Sequence, residues 1–530
     1  MLAVRYGVLY STGMRAVAEP QLCLWPEPQP NAPATRPTEA AYWRGSLASR
    51  SRSREEQKKL GQFITPAAIA RLMAQRLVAG CDWGGRSVRL LDPAAGSGVL
   101  AAALVEAALA ASARPSRIEL LLCELDAAML PLLHTCALEL ESLCIRLGVE
   151  FECQVQGGDF LQSRLALSGQ ASVDAVIANP PYFKLSGQDE RAKAYAAAVH
   201  GQPNIYALFM ASCACLLRPG GGFCFITPRS WTNGAYFRAL RSHLLERLSV
   251  DALHLFDSRE AHFQADAVLQ EALIVWATSG RPQAAIAVSS SHGVSDLNDA
   301  DAPRWPVRQV LGAAPEFMVT IPDTTAEHDL AGMPLRLHDL GLKVSTGPVV
   351  GFRAAAHLRA QAGPSTVPML WMPHVRSMAI DWPRGHRAEH IDANVGSAWM
   401  LLPNQPMVIL RRFSPKEDAR RVTAAPYLGD LPSEYLGLEN HLNVIHGAPA
   451  LSILAARGLA AYLNSLPVDR HLRRLLGSTQ INAVELRNLP VPDLEVLEGI
   501  GRVLPFAASL DDVVSSACRE VVCASSAQHA

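Results

Sequence analysis

Between residues 60 and 280, short continuous apolar runs alternate with longer segments of helical spacing, and this alternation constrains the fold more than any other feature. The apolar runs are SVRLLD, RIELLLCELD, FECQVQ, SVDAVIA and FCFITP, and helical segments such as VLAAALVEAALAASA separate them. Strands that are apolar on both faces are typical of parallel sheets with helices on both sides. The pattern therefore predicts an α/β fold with a doubly wound parallel sheet.

The rest of the chain divides by composition. Residues 1–54 are rich in Pro, Ala, Ser and Arg, and we expect a poorly ordered leader in which Met14 is an alternative start. The alternating α/β domain occupies residues 55–290. Residues 291–340 begin within a stretch rich in Ser, Asp and Pro, SSSHGVSDLNDADAPRWP, and predict a linker or crossing region. Residues 341–530, with more Pro and no repeating βα pattern, predict a separate mixed α+β domain.

Charge and cysteine content limit the binding partners. The 530 residues carry a net charge of −1, so any attraction to nucleic acid must come from local basic segments. The eleven cysteines include no C-x-x-C pair, which predicts reduced thiols and no metal site. Neither a secretory signal nor an apolar run of roughly 18–20 residues is visible. We therefore expect a cytoplasmic protein with no membrane segment.

A loop rich in small residues, DPAAGSG, follows the first predicted strand. It starts at Asp92, and Gly96 and Gly98 allow a tight turn and a close approach of the backbone to a ligand. Ala101 replaces the third glycine of a dinucleotide-binding motif, which weakens an NAD interpretation. An acidic strand end instead suits a ligand such as S-adenosylmethionine (SAM), although a plain strand–helix turn is an alternative.

Two further acidic residues follow the next two predicted strands. Glu124 ends the second strand and can accept both hydroxyls of a ribose; Asp126 is a competing candidate, for which we favour a helix-capping role. Asp159, followed by Phe160, ends the third strand and can accept an adenine amine. In doubly wound sheets ligands bind beyond the carboxyl ends of the strands, so the acidic residues together predict a nucleoside site.

The fourth predicted strand ends in an amide, two prolines and an aromatic residue: Asn179, Pro180, Pro181 and Tyr182. The prolines fix φ near −65° and extend the residue before them, which leaves a stiff rim of acceptors. An amine conjugated to a ring is a poor nucleophile because its lone pair is delocalised. Two acceptors that hold its N–H groups favour the geometry in which the lone pair is free, and Tyr182 offers a face for stacking.

These motifs resemble those of the N6-adenine DNA methyltransferases. The order of Thr65–Pro66, the glycine loop and NPPY, with a large region after NPPY, is similar to the gamma class typified by the TaqI methyltransferase. The resemblance is strong over residues 58–278. The later stretches LRRFSPKEDARR, LENHLNVI and AYLNSLPVDRHLRRLLGSTQINAVELRNLPVP resemble the PstI/BsuBI branch of modification enzymes. The resemblance implies a Rossmann-like methyltransferase sheet followed by a target-recognition domain.

The resemblance also implies roles for individual residues. Asn179, Pro180, Pro181 and Tyr182 would hold an adenine that has flipped out of the duplex, at a cost of a few kcal/mol. An aromatic residue would pack on this base, and we prefer Phe263 to Phe256, which is a candidate core residue. The residues that would bind SAM are Thr65, Asp92, Ala94, Gly96, Gly98, Glu124, Asp159, Phe160 and Phe209.

DNA contacts require local positive charge. The segment RRFSPKEDARR has a net charge of +3 over eleven residues, and a second basic segment follows at DRHLRRLLG. Arginine and lysine there can contact phosphates, although solvated helix faces explain them as well. The candidates are Arg411, Arg412, Lys416, Arg420, Arg421, Arg473 and Arg474. Asn440 and Asn443 are either base-reading or buried structural amides.

The sequence therefore predicts a monomeric, site-specific adenine methyltransferase that acts on double-stranded DNA. It would be the modification half of a type II restriction-modification system, with a cognate restriction endonuclease encoded nearby. The PstI/BsuBI resemblance implies CTGCAG as the target. The alternatives are methylation of rRNA or of a protein glutamine, because NPPY also serves those substrates. A non-catalytic DNA-binding protein on a decayed fold would have damaged cofactor motifs, and these motifs are intact.

Overall fold

The structure is a computed structural model in which two compact units are distinguished, Met1–Pro322 and Asp323–Ala530. It describes residues 36–50, 64–256, 272–294, 335–385, 388–414, 418–476 and 479–527, with short stretches of 296–333. Among these residues, no helix has both the length and the apolarity needed to cross a bilayer.

The first unit alternates helices and strands along most of its length. Its described helices are α1 (Pro37–Arg50), α2 (Ala67–Ala79), α3 (Val99–Ala110), α4 (Leu130–Arg146), α5 (Arg164–Ser168), α6 (Glu190–Ala194), α7 (Ile205–Leu216), α8 (Arg238–Leu245) and α9 (Val307–Val310). Its described strands are β1 (Ser87–Asp92), β2 (Arg117–Glu124), β3 (Glu150–Gly157), β4 (Val173–Ala178), β5 (Leu217–Pro228), β6 (Leu248–Phe256), β7 (Ala272–Ser279), β8 (Ala285–Ser291) and β9 (Arg304–Pro306).

The described strands of this unit form one sheet in the order β3-β2-β1-β4-β5-β7-β6-β8-β9. The first five in this order are parallel, and β7 runs antiparallel to β5 and β6. The order reverses between β1 and β4, where Leu91 pairs with Val176. This confirms the predicted doubly wound α/β sheet and identifies its switch point, the usual ligand site of such folds.

Apolar residues cover both faces of the sheet. Leu90 and Leu91 are adjacent in β1 and fully buried, yet they belong to the two different core clusters of this unit. Successive side chains of a strand point to opposite faces, so each face has its own helix layer. Each buried leucine contributes roughly 1.5–3 kcal/mol, which explains the continuous apolar runs in the sequence.

Two segments differ from the expectations. The predicted leader contains α1, which is tied to the helices that follow: Thr38 N–H donates to Glu106 at 3.0 Å, and Arg44 pairs with Glu139 at 2.7 Å. The predicted linker contains β9, which pairs with β8 and extends the sheet, and the first unit runs to Pro322. In both cases contacts to distant residues supply the order that local composition does not indicate. The remaining leader residues lie outside the described part.

The second unit combines small sheets with helices, as the mixed α+β prediction requires. Its described strands are β10 (Leu342–Thr346), β11 (Leu358–Arg359), β12 (Thr366–Leu370), β13 (Val375–Arg376), β14 (Ala379–Ile380), β15 (His390–Asp392), β16 (Leu401–Pro403), β17 (Met407–Arg411), β18 (Ala424–Tyr427), β19 (Tyr435–Leu438) and β20 (Leu442–Gly447). Its described helices are α10 (Ile453–Asn464), α11 (Leu466–Leu475), α12 (Ala483–Arg487), α13 (Leu494–Val503) and α14 (Leu510–Ala527). The sheets have the orders β10-β20-β17-β18, β11-β15-β12-β19-β16 and β13-β14.

The helical run GLAAYLNSLPVDRHLRRLLG becomes two helices, α10 and α11, separated at Ser465. Pro467 lies in the first turn of α11, where a missing backbone donor costs nothing. The first of these helices packs closely against α13. A Cβ added to Gly458 would overlap the carbonyl oxygen of Leu497, and one added to Gly501 would overlap that of Leu454. Glycine is therefore required on both helices for this contact.

We expect Gly458→Ala to lower the free energy of unfolding of the second unit by about 3 kcal/mol or more, because the added methyl group forces α10 and α13 apart. Urea unfolding followed by circular dichroism measures this. Gly499→Ala is the matched control on α13, because a Cβ there meets no atom within 4 Å. It should be neutral or stabilise the unit by up to about 1 kcal/mol. Equal losses in both variants would contradict the proposed close contact.

Candidate active site

The amide after β4 is held by two hydroxyl groups. Nδ2 of Asn179 donates to Oγ1 of Thr65 at 3.0 Å. The Tyr182 hydroxyl has two acceptors within reach, Oδ1 of Asn179 at 2.5 Å and the carbonyl of Ile226 at 3.0 Å. Its ring lies edge-on to Tyr206, with ring centroids 6.1 Å apart. The amide thus has a defined orientation before any substrate arrives.

A threonine followed by a proline at the start of a helical segment is typical of a capping residue and the first helical residue, and Thr65–Pro66 is such a pair. The structure differs by one position: α2 begins at Ala67, and Pro66 is the capping residue without a side-chain cap. The buried Thr65 hydroxyl instead contacts Asn179, which is 114 residues away in the chain. The sequence alone does not indicate that two residues so far apart in the chain lie in contact.

Glu124 links the glycine loop to the end of β2. Its carboxylate accepts the N–H of Gly96 at 2.7 Å and the N–H of Asp126 at 2.8 Å. Gly98 has φ +92°, and a Cβ there would lie 2.7 Å from Sγ of Cys136, so the loop needs glycine at this position. Asp126 accepts from the N–H of Ala128 at 3.0 Å, a local turn contact that fits the capping interpretation.

Asp92 is buried at the end of β1, and only part of its carboxylate is satisfied. Oδ1 accepts the N–H of Ala94 at 3.2 Å, while the buried Oδ2 has no hydrogen-bond partner among the described residues. Burial, partly offset by the Ala94 N–H and reinforced by the charge of Glu124, raises the pKa of Asp92 to about 8. A buried carboxylate oxygen without a partner is a position at which a cationic ligand group fits.

Because the pKa of Asp92 is higher in the folded protein than the roughly 3.9 of an unfolded chain, its stabilising effect is lost as the pH rises through about 8. We expect the melting temperature of the ligand-free protein to fall between about pH 4 and pH 8, and Asp92→Asn to flatten this profile. Scanning fluorimetry measures both. Burial also raises the pKa of Glu485, to about 7, so the difference between the variants is the informative quantity. Identical profiles would contradict the assignment.

Asp159, Phe160 and Phe209 line one part of the cavity wall. Oδ1 of Asp159 accepts the N–H of Leu161 at 3.0 Å and caps the short helix Phe160–Gln162. The rings of Phe160 and Phe209 are stacked, with centroids 5.5 Å apart and an interplanar angle of 26°. Oδ2 of Asp159 forms an ion pair with Arg191 at 3.0 Å. The wall thus combines a carboxylate with two flat apolar surfaces.

The structure brings most of the predicted site residues together in one cavity of about 120 Å³. Those that line it are Ala94, Gly96, Glu124, Asp159, Phe160, Asn179, Pro181 and Phe209. Thr65 and Tyr182 join this set through their hydrogen bonds to Asn179, and Asp92 immediately precedes the lining residue Pro93. Phe256 is a buried core residue, whereas Phe263 lies outside the described residues.

Arg191 also lines the cavity and was missed by sequence reasoning. It lies on α6, where Asp189 accepts its Nε at 2.9 Å and its Nη2 at 2.8 Å, so that Nη1 points to Asp159. Such a fork-like pairing fixes the plane of the guanidinium group. The spacing of Asp189 and Arg191 is a weak local signal, and nothing in the sequence connects Arg191 to a residue 32 positions earlier.

The predicted DNA-contacting arginines are mostly engaged within the second unit. Arg421 is only 1% exposed; its N–H donates to Asp469 and its Nη1 to the carbonyl of Ser414, so it is a structural residue and the DNA-contact prediction is wrong. The net charge of a segment does not reveal which of its arginines is buried. Partners of the others within the described residues are as follows: Arg411 with Val375, Arg412 with Asn440 and Asn482, Arg420 with Asp511, Arg473 with Asp469 and Arg474 with Arg470.

The other candidates for DNA contact differ in their burial. Asn443 on β20 is fully buried and donates to the carbonyl of Ile481 at 2.7 Å, which makes it a structural amide. Asn440 is half-buried in the turn before β20, where its N–H donates to Val349. Lys416 lies outside the described residues.

Together, the sheet order and the site define an α/β methyltransferase. Residues 150–263 match the Eco57I restriction-modification methylase family. The chain is 32% identical to type II methyltransferase M.PstI of Providencia stuartii over 87% of this chain and 93% of the relative. It is 33% identical to M.BsuBI of Bacillus subtilis over 84% and 90% of the two chains. The chain therefore belongs to the type II methyltransferase family that includes M.PstI and M.BsuBI.

Solved structures are more distant. The type IIG restriction endonuclease BpuSI has a TM-score of 0.44 and 13% identity, covering 91% of this chain and 67% of that chain. The family assignment accordingly rests on the sequence relatives.

Proposed function

We propose that the protein transfers the methyl group of SAM to N6 of an adenine flipped out of duplex DNA, as a modification enzyme of a restriction-modification system. The observation that carries this proposal is the position of Asn179 on the wall of the cavity that also contains Glu124 and Asp159. A methyl-accepting amine held by the amide would therefore lie beside the donor. Alignment of the two reactants is the main requirement, because a sulfonium methyl group is already activated.

The residues present fit SAM group by group. Oδ2 of Asp92, buried and without a described partner, suits the ammonium group of the methionine end. Glu124 suits the ribose hydroxyls, and the stacked rings of Phe160 and Phe209 suit the adenine, with Asp159 near its amine. The methionine end would lie toward Thr65, which is hydrogen-bonded to Asn179, and toward Asp92, which precedes the lining residue Pro93.

The acceptor side follows from the stiff motif after β4. The amide oxygen of Asn179 and the carbonyl of Pro180 would accept the two N–H groups of the target amine. Such acceptors favour the pyramidal amine, whose lone pair can attack the methyl group. The bond from N6 to the methyl carbon would form as the sulfur–carbon bond of the sulfonium breaks, which leaves a neutral thioether. The methylated nitrogen would then release its proton to water, and because the amine becomes acidic only at that point, no strongly basic side chain is needed. Tyr182 would pack on the base and, through its hydroxyl, keep Asn179 in place.

The second unit is the proposed target-recognition domain, and CTGCAG is the proposed target. The same resemblance supports a monomer that works beside a separately encoded restriction endonuclease. Plasmid isolated from a strain that expresses the protein should resist nucleases that cut CTGCAG. Resistance to a different nuclease in a panel would replace this target without affecting the proposed chemistry.

The proposed chemistry is tested by incubating the protein with labelled SAM and plasmid DNA and digesting the product to nucleosides. Label should appear in N6-methyladenine. The rival substrates, rRNA and a protein glutamine, are tested in parallel incubations. Label in either of these, or in cytosine, would refute the adenine proposal, and binding of DNA without any transfer would favour the decayed-fold alternative.

Asn179→Ala should lower the rate of methyl transfer at least about 100-fold, because the amine loses the acceptor that frees its lone pair. SAM affinity, measured by calorimetry, should change little. Asn488→Ala, on the exposed end of a helix in the second unit, is the control with unchanged rate. Retained turnover in Asn179→Ala would refute the assigned role.

Arg191→Ala should weaken SAM binding roughly 10-fold, because Asp159 loses the charged partner that holds its carboxylate in place. In an Asp159→Ala background the same change should have little further effect, since Arg191 acts through that carboxylate. Lys193→Ala is the matched control on the same helix, where Lys193 pairs with exposed Glu190. Titration calorimetry with SAM gives the affinities of the wild type, the two single variants, the double variant and the control, and additive losses in the double variant would contradict the coupling.

A further inference from the structure

Two loops of the second unit expose large apolar side chains to solvent. The first loop, residues 347–357, carries Phe352, which is 79% exposed. The second, residues 393–400, carries Val395 and Trp399, which are 97% and 73% exposed. We call these segments the aromatic loops. Side chains of this size are costly to leave in water, so a group of them on neighbouring loops indicates a binding surface.

The two aromatic loops lie side by side. They lead into and out of paired strands, because β11 pairs antiparallel with β15 through Leu358 and Ile391. A Cβ built on Gly396 would lie 3.2 Å from the ring of His357, so the second loop lies against the end of the first loop. Both loops also rest on the same core cluster, with the residues Val349, Ala354, Ile391 and Met400. Phe352 and Trp399 are therefore exposed on two adjacent loops that share one core.

Both loops are ordered turns. In the first, the N–H groups of Arg353 and Ala354 donate to the carbonyl of Val350, each at 2.9 Å. In the second, the side chain of Asn394 accepts the N–H of Gly396 at 2.9 Å, and Ser397 donates back to this turn. The exposure of the rings is therefore a consequence of how well-defined turns present them. Binding through such turns costs little ordering entropy.

The loop segments contain basic residues and no acidic ones. Neither residues 347–359 nor residues 393–400 contain Asp or Glu, although the whole chain carries 49 acidic residues. The first segment contains Arg353 and Arg359, and the guanidinium of Arg353 lies 5.4 Å from the centre of the Phe352 ring. The acidic neighbour Asp392 is paired with Arg359 at 2.5 Å. Aromatic and apolar side chains flanked by arginine complement bases and phosphates.

We propose that the aromatic loops contact duplex DNA, with Phe352 and Trp399 packed against bases or sugars and Arg353 on a phosphate. This rests on the proposed function, which makes duplex DNA the substrate, and aromatic side chains beside arginine complement bases and phosphates. A second copy of the chain fits less well. A symmetric dimer would bring the same arginine-bearing loops of two copies against each other.

The test compares DNA binding of the wild type with Phe352→Ala, Trp399→Ala and the double variant, by fluorescence anisotropy of a labelled duplex that contains CTGCAG. We expect the double variant to bind at least roughly 10-fold more weakly. Its SAM affinity and melting temperature should not change. Phe506→Ala is the matched control, because Phe506 is 89% exposed in the same unit but lies outside the aromatic loops. Arg353→Gln should lower the slope of log affinity against log salt by about 1.

Three results would overturn the inference. If the double variant binds DNA like the wild type while the wild type methylates adenine, the aromatic loops are not the DNA surface and the proposed function stands. If the wild type neither binds nor methylates DNA, the proposed function fails and the surface loses its partner. If light scattering shows a wild-type dimer that the double variant loses, with DNA affinity unchanged, the surface binds a second copy.

Discussion

The parallel pairing of β1 with β4 is the constraint on which the candidate site depends. The strand order reverses at this pair, so the helices that follow the two strands cover opposite faces and leave a crevice at the carboxyl ends. The register, with Leu91 opposite Val176, sets the end of one strand beside the end of the other. If β4 slipped by two residues against β1, Asn179 would move by roughly 7 Å relative to Asp92. The packing of the sheet in the core thus fixes the distance between Asp92 and Asn179.

The acidic residues at the strand ends serve the fold and the site at once. Glu124 accepts two backbone N–H groups and so holds the turn of the glycine loop, yet it also lines the cavity. Asp92 has no comparable compensation, and its raised pKa expresses the free energy of keeping a carboxylate in an apolar surrounding. With a pKa of about 8, this carboxyl group is mostly protonated near neutral pH in the ligand-free protein, and a cationic ligand beside it would favour its ionised form.

What the sequence predicts well is local. The apolar strands, the acidic residues that end them and the motif after β4 could be recognised because each is a short continuous pattern, and the parallel sheet then brings them together. Arg191 could not be found, since its partner Asp159 is remote in the chain. The helix at residues 37–50 depends on contacts to distant helices. The role of Arg421 was misjudged because a charge pattern does not report burial.

The internal hydrogen bonds of Asn179 have a consequence for turnover. Nδ2 donates to Thr65 and Oδ1 accepts from Tyr182, and an amide oxygen can accept two hydrogen bonds, so both contacts can persist while Oδ1 accepts the N–H of an incoming amine. On the proposed reaction, the product amine has one N–H where the substrate had two. It can satisfy only one of the two proposed acceptors, Asn179 and Pro180, and an acceptor left without a donor weakens binding. The same pair of acceptors thereby favours release of the methylated base over release of the substrate.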